Sequence, residues 1–119
     1  MIATQRTFKI KKGTFPEFHR ASARGVWPYF ERIGARIVGM WLVTEDEREP
    51  ASPDYDTVIL VTRYASREHW HATRNPVALG GEGPLWDACR AALEKRRSLT
   101  IDTWLRFLDP GSEITGGPY

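Results

Sequence analysis

Two stretches of this chain, 36–44 and 56–64, are apolar on both alternating faces, and no other feature limits its folding so strongly. A strand carrying Ile37, Val38, Met40, Trp41, Leu42 and Val43 with almost no polar alternation needs cover on each side. The same holds where Val58 and Leu60 alternate with Ile59 and Val61. A chain of 119 residues amounts to one domain, so the cover must come from few helices or from another molecule.

The remaining elements can be placed around these strands. Residues 5–11 set Phe8 and Ile10 against Thr7 and Lys9, a half-polar strand that Lys12-Gly13 ends. Thr14 is placed to cap a helix with Pro16 and Glu17 in its first turn. Phe15, Phe18, Ser22, Val26, Tyr29 and Ile33 recur at helical spacing, Pro28 with nearby Gly25 predicts a kink, and Gly34 stops the helix. The acidic, proline-containing stretch 45–54 reads as a solvated hairpin loop. Ser66 caps a short helix to Arg74, ended by Asn75-Pro76. A glycine-rich linker at 80–84 then opens a helix over 85–97, with Leu85, Ala88, Cys89, Ala92 and Leu93 as its buried stripe. The last strand, 98–108, puts Leu99, Ile101, Thr103, Leu105 and Phe107 on one face. Residues 1–108 form a single domain in this reading, and 109–119, with three glycines and two prolines, a loose tail.

Strand, helix, strand, strand, helix pair, strand is the split βαβ plan: an α+β, ferredoxin-like four-stranded antiparallel sheet with helices on one face. The helices leave the second apolar face bare, and a second copy is its simplest cover. The expectation is therefore a homodimer packed sheet to sheet under two-fold symmetry, a dimeric α+β barrel. Thr7, Lys9, Arg63, Asp102 and Arg106 then fall on the dimer-facing side, if Phe8, Val58 and Ile101 face the helices, and Asp102 pairs there with Arg63, Lys9 or Arg106.

Composition narrows the function classes. Seventeen Lys and Arg against fifteen Asp and Glu leave a formal charge of +2, too balanced to argue for nucleic acid or an anionic membrane. No apolar run approaches a transmembrane span, and the first residues lack the apolar stretch of a signal peptide, so the expected compartment is the cytoplasm. The lone Cys89 excludes an intramolecular disulfide and a zinc thiolate cluster.

Several groups of residues match a family in order along the chain. Lys12-Gly13 and Pro16-Glu17-Phe18 follow the first strand, and the helix ends near Pro28. Next come Ile37-Val38-Gly39-Met40-Trp41, the strand-to-helix join Val61-Thr62-Arg63-Tyr64-Ala65-Ser66, and Arg74-Asn75-Pro76 with Trp86. Over residues 5–108 this arrangement resembles a NIPSNAP domain. The resemblance implies the dimeric α+β barrel superfamily, and with it the fold and assembly reached above. It carries no shared catalytic motif. The wider superfamily includes cofactor-independent monooxygenases, cyclases and isomerases acting on aromatic molecules, haem-degrading enzymes and non-enzymatic stress proteins. Haem-degrading members carry an asparagine on the first strand, where this chain offers Gln5 and Thr7.

Five tryptophans in a chain this short could line an apolar pocket with a few polar tips, the usual makeup of a small-molecule site. His19 and Trp27 share one flank of the long helix, with Trp41 and Trp86 brought toward them. His69 and His71 on the short helix point about 200° apart and cannot chelate one ion, so no metal is expected. The candidate general bases are thus His19 and His69, and the candidate ligand-binding residues Trp27, Trp41, His71, Trp86 and Arg63. No cofactor is expected. The leading expectation is a homodimer binding a small aromatic or apolar molecule between helices and sheet, with any catalysis of the cofactor-independent isomerase, cyclase or oxygenase type. The alternative is a non-enzymatic stress-associated or protein-interaction module docking through the acidic loop. A cavity bordered by His19, Trp27 or His69 favours the first, and tightly filled space there the second.

Overall fold

A computed structural model describes residues 1–75 and 82–111. In chain order they form β1 (Ile2–Lys11), α1 (Phe15–Ala21), a π-helical turn (Ser22–Val26), α2 (Trp27–Arg32), β2 (Arg36–Leu42), β3 (Tyr55–Tyr64), α3 (Arg67–Thr73), α4 (Pro84–Leu99) and β4 (Thr100–Leu108). The strands build one antiparallel sheet in the order β2-β3-β1-β4, with the helices on one face, as the split βαβ plan requires. Pro76 of the expected helix stop, residues 80–81 of the expected linker and residues 112–119 of the expected tail lie outside the described residues.

The expected kink takes the form of a π turn. Pro28 has no N–H to give, and its ring would crowd the carbonyl four residues back. The helix widens just before it, where the Trp27 N–H reaches back five residues to the Ser22 carbonyl. Thr14 does not cap α1 through its side chain: its hydroxyl donates to the Lys11 carbonyl at 2.6 Å. Ser66 does cap α3, accepting from the His69 N–H at 3.0 Å.

Register fixes which side chains meet the helices. Phe8 faces Val58, Arg6 faces Leu60 and Thr4 faces Thr62 across β1–β3, while Leu105 and Phe107 join the same face from β4. Two clusters fill the space under the helices. Phe8, Ile10, Phe18, Val58, Leu60 and Leu99 form one, and Val26, Tyr29, Ile33 and Cys89 the other. Trp27 packs against both.

Three expectations about the last strand are corrected. α4 runs through Ser98 and Leu99, and Leu99 closes the core as a helical residue. A register shift between Lys9 and Ile10 pairs them with Asp102 and Thr100, so Ile101 is bulged out and 56% exposed instead of facing the helices. On the outer face Asp102 accepts from the Thr103 N–H. Lys9 instead pairs with Glu49 of the acidic loop at 2.7 Å, and Arg106 donates to Gln5.

Candidate functional site

The helix-facing side of the sheet is apolar at one end and polar at the other. On β1 the inward positions run Ile10, Phe8, Arg6, Thr4, and on β3 they run Val58, Leu60, Thr62, Tyr64. At the polar end the sheet and helices leave a cavity of about 100 Å³. Thr4, Arg6, Thr62 and Tyr64 floor it, together with Ile37, Leu60 and Leu105. Val26, Trp27 and Phe30 wall it from the long helix, Trp70 and Arg74 from α3 and the residue after it, and Leu93 and Arg96 from α4. Arg74 is the exposed member of this lining and marks its mouth.

Three arginines and, among the described residues, no carboxylate line this space. Arg96 lies with its guanidinium carbon 4.9 Å from the Phe8 ring centre and 5.4 Å from that of Phe18. Its hydrogen bond to Ser22 Oγ is long at 3.5 Å, and its buried Nε has no partner among the described residues. Burial first, and the neighbouring Arg6 second, bring its pKa down to about 10. Arg6 is itself pushed below the ordinary arginine range, by burial and then by Arg74. Arg74 rests 4.9 Å from the Trp70 ring centre and donates to Thr73 Oγ1 at 3.0 Å. Burial raises the Tyr64 phenol, an effect that Arg74 opposes. The buried Trp27 Nε1 is a second donor without a partner. Buried N–H donors without partners, on residues that line a cavity, can grip an acceptor-bearing molecule, since each donor has already lost its water.

Of the residues singled out from the sequence, Trp27 lines this cavity. His19 is exposed and packs its ring edge-on to Trp27, with centroids 5.7 Å apart. His69 fastens elements together: Nδ1 accepts from the Ala65 N–H at 3.1 Å, and Nε2 meets the Ile33 carbonyl at 2.8 Å. That geometry fits the neutral tautomer with its proton on Nε2. His71 is exposed beside Trp70. Trp86 packs on Tyr29 with centroids 4.8 Å apart, in the second core cluster. Trp41 and Arg63 sit on the other face of the sheet, opposite Ile59 and Ala3 in register. Among the described residues no three His, Cys, Asp or Glu side chains gather as a metal site. Burial lifts the Cys89 thiol to about 11, which leaves it inert as a nucleophile.

Arg6 and Arg96 escaped the sequence reading, although both follow its own periodicities. Arg6 shares the parity of Phe8 and Ile10, and Arg96 continues the stripe of Cys89, Ala92 and Leu93. A charged residue on a buried face was the signal.

Neither a scan against protein-family models nor a search of curated proteins gives a match. Solved structures do match. A NIPSNAP domain protein from Burkholderia xenovorans is 22% identical, with 100% of each chain covered and a TM-score of 0.68. A NIPSNAP family protein from Agrobacterium tumefaciens is 20% identical over 92% of this chain and 91% of its own, with a TM-score of 0.66. A dimeric ferredoxin-like protein from an uncultured marine organism is 10% identical over 95% and 90%, with a TM-score of 0.58. Together with the sheet order and the one-sided helices, these likenesses establish that the chain has the NIPSNAP-domain fold.

Proposed function

We propose that this NIPSNAP-like chain works as a homodimer that binds a small aromatic or apolar molecule between its helices and its sheet. The cavity carries the reading. Its walls are mostly apolar and include two tryptophans, Trp27 and Trp70, and the buried Nε1 of Trp27 has no partner. A well-packed core fills such space or satisfies such a donor. A cavity bordered by Trp27 is also what separates a small-molecule binder from a purely interacting module. Its volume, below the roughly 150 Å³ of an apolar cavity that takes up benzene, limits it to a compact ligand.

The reading is tested by titrating a panel of single-ring aromatic compounds while following tryptophan fluorescence and thermal unfolding. Binding should change the emission of Trp27 and Trp70 and raise the melting temperature, because ligand held by the native state stabilises it by mass action. Trp27→Phe should lessen the response. A panel that leaves both signals unchanged at millimolar concentration overturns the reading.

A further inference from the structure

We propose that the cavity takes an aromatic carboxylate, with the ring between Trp27, Phe30 and Trp70 and the carboxylate on the arginines Arg6, Arg74 and Arg96. The inference rests on the cavity being a ligand pocket and adds the chemical class of the ligand.

The charge pattern carries it. Three arginines line one small space, and among the described residues its lining holds no Asp or Glu and none of the three is in an ion pair. Exposed arginines without partners are ordinary, but Arg96 is not exposed. Its guanidinium lies against Phe8 and Phe18, with Nε unpaired and a single long contact to Ser22. A cation removed from water and left without an anion is among the least favourable arrangements a core can hold. A carboxylate removes that penalty, because its two oxygens match the planar fork of N–H donors. The rest of the wall chooses the remainder of the ligand. Leu60, Leu93 and Leu105 cannot solvate a free inorganic ion, whereas Trp27 and Trp70 add aromatic surface that suits a ring. At about 100 Å³ the cavity is smaller than the roughly 150 Å³ that holds benzene, which rules out a fused system and leaves part of a single-ring ligand at the mouth beside Arg74.

The experiment compares benzoate, its neutral isostere benzamide, and sulfate on the full chain, read by tryptophan fluorescence and thermal shift. Benzoate should bind about tenfold more tightly than benzamide, as charge-assisted bonds exceed neutral ones. Sulfate should give a smaller shift than benzoate at equal concentration. The preference for benzoate should disappear in Arg96→Met and in Arg74→Gln. Arg74 is exposed, so its variant keeps the test readable should the Arg96 variant fold poorly. Equal binding of benzoate and benzamide overturns the carboxylate assignment and leaves the aromatic pocket standing. Sulfate matching benzoate overturns the joint reading of ring and anion. Failure of every compound, benzamide included, removes the pocket and this inference with it.

Discussion

Gly25 shows how one residue sets the distance between two helices. Its Cα faces α4, where an added Cβ would overlap Ala92 Cβ and press on the Ala88 carbonyl oxygen at 3.3 Å. Small residues on both sides let the π turn and α4 approach closely, which also brings Leu93 and Arg96 to the cavity. Gly25→Ala should therefore destabilise the fold by about 1–3 kcal/mol, the usual cost of overpacking, despite alanine's better helix propensity. Ala92→Gly in the same chain should restore part of the loss. Urea unfolding measures both. A Gly25→Ala protein as stable as its parent would refute the close approach.

Among the elements, the join between β1 and α1 is held by β3. Asp56, at the start of β3, accepts from the Gly13 N–H at 2.9 Å and meets Lys12 Nζ at 3.0 Å. Gly13 itself has φ = 80°, a left-handed turn that suits glycine. The Gly13 hydrogen bond, and then Lys12, hold the Asp56 pKa below its ordinary value, outweighing the opposing effect of burial. With the folded pKa depressed, the clasp contributes fully above the unfolded aspartate range and is lost as pH falls through the folded value. Stability should thus drop below about pH 4, where aspartate normally titrates. Asp56→Asn should lower stability at neutral pH by about 1 kcal/mol and flatten that acid limb. Denaturant titrations at pH 7 and pH 3 would check it, and an equally steep acid limb in the variant would refute it.

At the scale of the whole molecule, the question is what covers the sheet's second face. Trp41 is 51% exposed and Trp104 44% exposed, on the two edge strands, and Val38 and Leu108 are exposed as well. The Trp41 ring lies back over Gly39, where an added Cβ would come within 2.7 Å of it, as if shielding a bare patch. Such a surface fits the proposed two-fold contact between copies. At micromolar concentration the chain should sediment at twice its 13.6 kDa mass. Trp41→Glu with Trp104→Glu should give a monomer with unchanged circular dichroism. A stable 13.6 kDa species from the unaltered chain would sink the dimer.

The order of elements, the sheet and its one-sided helices were all legible in the residues, because periodicity and turn chemistry are local properties. Phe8 and Ile10 mark an inner face, Pro28 marks a helix in difficulty, and Ser66 marks a start, each within a few residues of chain. The bulge that turned Ile101 outward was not legible, since it depends on how β4 meets β1 across the sheet. Nor was the site. Arg6 and Arg96 stand 90 positions apart and share a cavity because the sheet register and the α4 packing bring them there. The sequence by itself determined which elements form and in what order; only the tertiary structure decided which inward arginines meet in one cavity, because that depends on every element packed around them.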